Sequence, residues 1–344
     1  FAGLYQAMIT LNGKSQNIYK GHSDAINSIV FWPSASLFYT ASSDGKVLKW
    51  DVSDSTKKPF VVIDNKKVVN KSIDISSDGK YLAVGTLGNG LGILDLKTKD
   101  ASVRYAVVPY KNIELVAFTN DAKTIVAASD SSLIEFDATT GAGTVVGKAD
   151  GKILSLAVAP DGKTIATGTK SGKVYLWDKV SSYKKELLFE EASNQIHSLA
   201  FNHNGSLLAA GNLIGYLKLW NLKEKKMLFN VKGHSARITD IKFSPNDKTI
   251  ATASYDQNVL LWDASDLNIQ PIKLKEHESW VLSLAFNPFG DKLVTGSIKE
   301  DRLILWPTNT YDMASVVHKK MGRNFTIEEW NTYVGKDIRY ERSK

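Results

Sequence analysis

Residues 233–263 read GHSARITDIKFSPNDKTIATASYDQNVLLWD, and this stretch decides the fold of the chain. It opens on a Gly-His pair, closes on Trp-Asp, and holds three strand-length runs rich in apolar and β-branched residues. Turn-forming residues separate the runs at positions 244–247 and 255–258. The pattern predicts a three-stranded antiparallel meander, which is too small to bury its own hydrophobic faces. We therefore expect similar units to pack against it.

The ending of this unit recurs along the chain at a spacing of about 40–45 residues, which is typical of the four-stranded blades of a β-propeller. The equivalents of Trp262 are Trp50, Leu94, Phe136, Trp177, Trp220 and Trp306. Together with the Gly-His pairs at 21–22 and 233–234, these endings resemble those of the WD-repeat β-propeller family over residues 16–306. The resemblance implies an all-β fold, namely a seven-bladed β-propeller of four-stranded antiparallel blades with short helical N- and C-terminal extensions.

The segment before the first Gly-His pair predicts how the ring closes. Residues 16–20 (QNIYK) precede Gly21 just as residues 228–232 (LFNVK) precede Gly233. In WD-repeat propellers the segment before Gly-His is the outer strand of the preceding blade. The resemblance therefore implies that residues 16–20 complete blade 7, so that hydrogen bonds join the two ends of the ring and no long sheet edge is exposed.

Three regions are expected along the chain. Residues 1–14 have an apolar helical face and form an N-terminal helical junction, residues 15–307 form the propeller, and residues 308–344 form a helical tail that packs on it. The two ends resemble those of bacterial WD-repeat proteins that carry an upstream signalling module of the NTPase type. The chain begins at Phe1 and is interpreted as a piece of a longer protein.

The tail contains two predicted helix starts. Asp312 is placed to cap the first helix. At the second, Thr326 and Glu329 have the spacing of a capping box, and Phe325 and Trp330 have the spacing of a hydrophobic staple. Both features predict helix rather than a further blade.

Composition limits the classes of function. The chain has 43 Lys and Arg against 36 Asp and Glu, a net charge of +7, and its lysines are scattered. This favours a lysine-rich soluble surface, with a nucleic-acid-binding surface as the alternative. The absence of cysteine excludes disulfides, thiolate metal sites and cysteine nucleophiles. No apolar run is long enough to span a bilayer and no signal peptide is present, which predicts no direct membrane insertion. We expect a cytoplasmic location, or an extracytoplasmic one if a membrane span lies upstream.

Two sets of polar residues match the structural tetrad of WD-repeat blades. They are His22, Thr40, Asp44 and Trp50, and at the same spacing His234, Thr252, Asp256 and Trp262. A His–Asp–Thr set also suggests a catalytic triad. However, threonine is a poor nucleophile here and the set is duplicated, so both sets are interpreted as structural networks that satisfy buried N–H groups.

No other motif indicates catalysis, a metal or a cofactor. The chain has no HExxH or similar ligand spacing, and the Asp-Gly pairs are those of hairpin turns. The glycine-rich residues 88–92 lack the Lys-Ser/Thr of a phosphate-binding loop. We predict no catalytic residue, no metal and no cofactor, and we keep an enzyme site in the central channel as an alternative.

The resemblance places partners on the face where the innermost strands begin, called the top face below. There Arg237, Tyr255 and Trp280 fall on neighbouring blades and are of the residue types that dominate protein interfaces. The alternative is that Trp280 packs between blades as ordinary core. The other predicted partner-binding residues are Thr239, Leu282, His197, Gln195, Lys152, Lys170 and Asn27, and the turn position of blade 7 is assigned to Lys299.

The predicted function is a non-catalytic scaffold or sensor module of a larger bacterial multidomain protein. It binds a protein or peptide on the top face of the propeller, contacts upstream domains of the same polypeptide, and is monomeric as an isolated domain. Its rigid ring limits the conformational entropy lost on binding. The alternatives are a propeller that binds nucleic acid through its lysines, and an enzyme.

Overall fold

Strands form wherever apolar and β-branched residues alternate. The computed structural model describes residues 18–33, 36–66, 68–98, 102–106, 109–192, 194–299, 302–308 and 326–333. In these ranges the chain forms seven four-stranded antiparallel sheets, which are the seven blades of a propeller. The predicted fold class is confirmed, with helix a minor component of the described chain.

The strands of the first three blades run outward from the channel in chain order. Blade 1 contains β2 (Ile26–Phe31), β3 (Leu37–Ser42), β4 (Lys46–Asp51) and β5 (Phe60–Asp64). Blade 2 contains β6 (Val69–Ile75), β7 (Tyr81–Leu87), β8 (Leu91–Asp95) and β9 (Arg104–Tyr105). Blade 3 contains β10 (Leu115–Phe118), β11 (Thr124–Ser129), β12 (Ser132–Asp137) and β13 (Gly143–Lys148).

The next three blades repeat this order. Blade 4 contains β14 (Ile153–Val158), β15 (Thr164–Thr169), β16 (Lys173–Asp178) and β17 (Lys184–Glu190). Blade 5 contains β18 (Ile196–Phe201), β19 (Leu207–Asn212), β20 (Tyr216–Asn221) and β21 (Lys226–Lys232). Blade 6 contains β22 (Ile238–Phe243), β23 (Thr249–Ser254), β24 (Val259–Asp263) and β25 (Ile272–Leu274).

Blade 7 joins the two ends of the ring. It contains β26 (Val281–Phe286), β27 (Lys292–Ser297), β28 (Arg302–Pro307) and, as its outer strand, β1 (Ile18–Lys20). The register of the closing pair places Tyr19 opposite Leu303. The predicted closure is therefore confirmed for Ile18–Lys20.

The hydrophobic core lies mainly between neighbouring blades. Isoleucines at the start of the inner strands pack on a glycine in the second strand of the preceding blade. A Cβ built on Gly168 would lie 2.5 Å from Cγ2 of Ile196, and one on Gly211 would lie 2.6 Å from Cγ2 of Ile238. Glycine is required at these two positions because any side chain would push the blades apart.

One short helix, α1 (Ile327–Tyr333), follows the propeller in the described chain. The backbone N–H of Glu329 donates to Oγ1 of Thr326 at 3.1 Å, and the N–H of Thr326 donates to Oε2 of Glu329 at 2.9 Å. The predicted capping box is thus confirmed. The Phe325–Trp330 staple, the helix at Asp312, the junction of residues 1–14 and the packing of the tail fall outside the described residues and side chains. None of the described helices is long and apolar enough to cross a membrane.

Candidate functional site

The side chains of the first predicted tetrad form one buried hydrogen-bonded chain. Nε1 of Trp50 donates to Oγ1 of Thr40 at 2.7 Å, which lies 2.7 Å from Nε2 of His22. Nδ1 of His22 lies 2.9 Å from Oδ2 of Asp44. An indole N–H can only donate, so the donors run consistently from Trp50 to Asp44 when His22 carries its proton on Nδ1. The network links the turn that precedes the inner strand, which contains His22, to the second and third strands of the blade.

The same network recurs in other blades. In blade 6, Thr252 Oγ1 lies 3.0 Å from Nε1 of Trp262 and 2.8 Å from Nε2 of His234, whose Nδ1 lies 2.9 Å from Asp256. In blade 7, His277 and Trp306 converge on Oγ1 of Thr295 at 2.7 and 2.8 Å. His277 thus occupies the position of His22 and His234, and Thr295 occupies that of Thr40 and Thr252, although Thr295 was not singled out from the sequence.

Both tetrad carboxylates have depressed pKa values. Burial alone would raise the pKa of Asp44, but hydrogen bonding and charge from His22 and the N–H groups of Lys46 and Ser23 outweigh it and lower the pKa to about 2. For Asp256, burial is likewise outweighed by His234 and by hydrogen bonds from Ser235 and Asn258, so its pKa lies well below the usual range.

These depressed pKa values predict acid sensitivity. A carboxylate whose folded pKa lies below its unfolded value stabilises the fold above about pH 4, and this stabilisation is lost as pH falls towards the folded pKa. We expect Asp44→Asn/Asp256→Asn to lower the melting temperature at pH 7 and to flatten its decline between about pH 4 and pH 2. Circular-dichroism melts across that range measure both effects. An unchanged melting temperature at pH 7 would contradict the structural role of the tetrads.

The top face is shaped by a β-bulge at the start of the innermost strand in six blades. The register shifts at Ile26/Ser28, Asn70/Ser72, Ile153/Ser155, Ile196/Ser198, Ile238/Asp240 and Val281/Ser283. The extra residue of each bulge lines the mouth of the central channel. These six residues are Asn27, Lys71, Leu154, His197, Thr239 and Leu282.

At the edge of this mouth, Arg237, Tyr255 and Trp280 form one continuous stack, called the aromatic stack below. The guanidinium Cζ of Arg237 lies 3.8 Å from the centroid of the Tyr255 ring. The rings of Tyr255 and Trp280 are 4.2 Å apart between centroids, with 13° between their planes. Trp280 is 45% exposed, so in this structure it is not a core residue between blades. A flat, rigid apolar surface bordered by a cation results.

Other predicted docking residues lie at the mouth but differ in what they contact. Thr239 Oγ1 donates to the carbonyl of Val281 at 2.7 Å, and Asn27 Nδ2 donates to the carbonyl of Asn70 at 2.8 Å. Both side chains therefore hold neighbouring blades together. Gln195 Oε1 lies 3.1 Å from Nε2 of His197. Sequence reasoning had treated all four only as partner-binding residues, because contacts between blades are not visible in a repeat pattern.

Charged side chains also gather at the mouth. Nζ of Lys152 lies 2.6 Å from Oε1 of Glu114, joining blades 4 and 3. The resemblance also places Lys71, one of the bulge residues, at a top-face position, although it was not singled out among the predicted partner-binding residues. Lys170 follows β15 and is exposed farther out on the rim.

In blade 7 the hydrogen-bond register places Ile298 at the turn position that had been assigned to Lys299, because the N–H of Ile298 donates to the carbonyl of Trp280 at 3.0 Å.

The central channel has a volume of about 560 Å³ and two carboxylates in its wall. Burial raises the pKa of Asp74 to about 6, and burial also raises the pKa of Asp240. Each accepts an N–H from the next blade, from Phe118 at 2.7 Å and from Leu284 at 3.0 Å. Their oxygens thus link neighbouring inner strands. Within the described ranges no three His, Cys, Asp or Glu side chains lie close enough together to hold a metal ion.

A family model, the WD domain, G-beta repeat, matches four segments of the chain: residues 13–51, 142–178, 225–263 and 270–306. The last three begin before the outer strand of one blade and end within the third strand of the next, and the first includes the closing strand β1. Three of the matches contain the complete or nearly complete tetrads of blades 1, 6 and 7, and the match at 142–178 contains a Trp–Thr pair in which Nε1 of Trp177 donates to Oγ1 of Thr167 at 2.8 Å.

The chain is also similar to curated proteins. It is 27% identical over 62% of its length to a WD repeat-containing protein of the bacterium Synechocystis, of which the match covers 75%. It is 28% identical over 55% of its length to cell division cycle 20.1, cofactor of APC complex, of Arabidopsis thaliana, of which 43% is covered. A third relative is the Arabidopsis transcriptional corepressor LEUNIG_HOMOLOG, 26% identical over 41% of the chain and 17% of that protein.

Proposed function

Because the chain folds as a seven-bladed β-propeller and four of its segments match the WD domain, G-beta repeat, we propose that it is a non-catalytic module that binds a protein or peptide partner on its top face. The observation that carries the proposal is the aromatic stack. Trp, Tyr and Arg residues dominate the binding energy of protein interfaces, and here all three lie in one surface patch. Trp280 remains 45% exposed, so a partner that covers it buries apolar surface, which contributes favourably to the free energy of binding.

The rigidity of the patch supports the same function. Arg237 and Trp280 directly precede the inner strands β22 and β26, and Tyr255 directly follows β23. The N–H of Tyr255 donates to the carbonyl of Arg237 at 3.1 Å. Side chains fixed on strand ends in this way lose little conformational entropy when a partner binds.

The relatives are consistent with this function. One is named a cofactor of a complex and another a transcriptional corepressor. One relative is bacterial. From the resemblance of the two chain ends, the more specific proposal is that the propeller, residues 15–307, serves as a scaffold or sensor within a larger bacterial protein with an upstream signalling module of the NTPase type. In this proposal the isolated domain is monomeric and its location is cytoplasmic, or extracytoplasmic if a membrane span lies upstream.

A capture experiment tests whether the partner is a protein. The immobilised chain is incubated with lysate of the source organism, with and without nuclease, at about 50 and 200 mM salt. We expect the wild type to retain a protein under all conditions and Trp280→Ala to release it. Phe289→Ala is the matched control, because Phe289 is 76% exposed in the turn after β26, at the opposite end of that strand. Capture that is lost with nuclease or with salt would instead favour nucleic-acid binding through the lysines.

A further inference from the structure

The positions at the start of the inner strands carry an uneven set of charges. Lys71 is the bulge residue of β6, and Lys152 and Arg237 directly precede β14 and β22. Glu114, directly before β10, is the one carboxylate among the residues that precede or form a bulge in the described inner strands. Burial and the charge of Arg237 lower the pKa of His197 to about 4, so this mouth residue is neutral at pH 7. The starts of the described inner strands therefore carry three cations, Lys71, Lys152 and Arg237, and one carboxylate, that of Glu114.

Among the described residues, Lys152 is the one of these cations that has an ionic partner. Glu114 is held by Lys152 at 2.6 Å. In the described part of the chain no carboxylate lies within 4.0 Å of the ammonium of Lys71 or the guanidinium of Arg237. Arg237 instead lies flat on the ring of Tyr255, which leaves the edge of its guanidinium as a hydrogen-bond donor. The mouth thus has two positive charges with no carboxylate of the described residues in ionic contact.

These charges act on one another across the channel. Burial lowers the pKa of Lys71. The charge of Glu114 opposes this shift, and the charges of Arg237 and Lys152 add to it. Burial also lowers the pKa of Arg237. Partly buried cations without a counter-ion cost free energy in the unbound protein. An anion that enters the mouth removes this cost, because it restores the charge balance.

We propose that the channel mouth binds an aspartate or glutamate side chain of the protein or peptide that docks on the aromatic stack, an inference that rests on the function proposed above. The carboxylate is bound between Lys71 and Arg237. Trp280 and Leu282, on the neighbouring blade, contact an apolar residue of the same ligand. The partner is therefore an acidic segment with an apolar residue next to its acid.

The arrangement fits a single acidic residue better than a polyanion. The cations come from blades 2, 4 and 6, and the charges of Arg237 and Lys152 act on Lys71 at one opening instead of forming a track. The residues that directly precede the inner strands of blades 1, 5 and 7 are uncharged, namely Ala25, Gln195 and Trp280. A nucleic-acid strand needs a positively charged groove along several nucleotides together with stacking side chains. The mouth offers two uncompensated charges at one place, which matches one carboxylate with bidentate hydrogen bonds.

Two peptide libraries displayed on phage test the inference. Both are random and free of Asp and Glu except at one central position, which is fixed as Glu in one library and as Gln in the other. At about 150 mM salt we expect the wild-type chain to recover the Glu library on the order of tenfold better, as a charge-assisted hydrogen bond predicts. Lys71→Met retains the side-chain length and removes the charge, and is expected to recover both libraries about equally.

Further variants separate charge recognition from folding. We expect Lys71→Met to melt at or above the wild-type temperature, because it removes a charge that has no partner carboxylate. Glu114→Gln is the opposite control, since it removes the negative charge of the mouth. We expect it to raise the preference for the Glu library by a few-fold.

The outcomes distinguish this inference from the proposed function. Peptides that depend on Trp280 but come equally from both libraries would overturn the acidic ligand and leave the docking face standing. If neither library yields binding peptides, or if Trp280→Ala binds the recovered peptides as well as the wild type does, both the acidic ligand and the proposed docking face are overturned. Displacement of Glu peptides by a single-stranded DNA oligonucleotide at the same salt, in a manner that depends on Lys71, would assign the mouth to nucleic acid and overturn the inference.

Discussion

We expect Tyr19→Ala to lower the free energy of unfolding by about 3–5 kcal/mol, as is usual when a large buried aromatic side chain is truncated. Tyr19 is 1% exposed, and its ring packs edge-on against Phe38 at 5.6 Å and Trp50 at 5.9 Å. Because Tyr19 lies in the closing strand β1, its loss also weakens the joint between blade 7 and blade 1. Urea unfolding followed by tryptophan fluorescence measures the change.

Tyr19→Phe is the matched control for this experiment. It retains the packed ring and removes only the hydroxyl, which donates to the carbonyl of Val52 at 2.8 Å. The expected cost is about 1 kcal/mol, the net value of one hydrogen bond. If Tyr19→Ala is no more destabilising than Tyr19→Phe, the closing strand does not have the role that its packing indicates.

The sequence predicted the fold because each blade carries its own local signals. The spacing of Trp50, Trp177, Trp262 and Trp306 indicated the repeat, and the turns between them indicated the strands. The closure by residues 16–20 followed from the segment before Gly-His and is confirmed where the structure describes it. These features are local in sequence, so a single chain is sufficient to recognise them.

The candidate site was only partly predictable, because its geometry depends on contacts between blades. Arg237 and Tyr255 belong to blade 6 and Trp280 to blade 7, and their stacking depends on how the two blades pack. The sequence therefore left open whether Trp280 is core or surface. The resemblance places Lys71 on the top face, but its charge was not singled out, since whether a cation there has a carboxylate partner depends on contacts between blades.

The second large effect concerns the partner. We expect Arg237→Ala/Tyr255→Ala/Trp280→Ala to weaken binding of the captured partner by at least about 100-fold, which corresponds to about 3 kcal/mol. The three side chains form one stack, so their removal takes away both the apolar surface and the cation that borders it. Their individual effects will not add, because each supports the position of the next. Isothermal titration calorimetry with the purified partner measures the affinity.

Stability is expected to change much less than binding. Trp280 is 45% exposed, so its truncation leaves no closed cavity in the core. A melting curve of the triple variant close to that of the wild type would therefore separate loss of binding from loss of fold.

The dissociation constant of the triple variant, beside those of the wild type and of Phe289→Ala, tests the central claim most directly. Partner docking on the aromatic stack predicts a loss of at least about 100-fold for the triple variant and an unchanged value for Phe289→Ala. A triple variant that folds and binds within a few-fold of the wild type would contradict the claim, and a large loss in Phe289→Ala would place the partner on the opposite face.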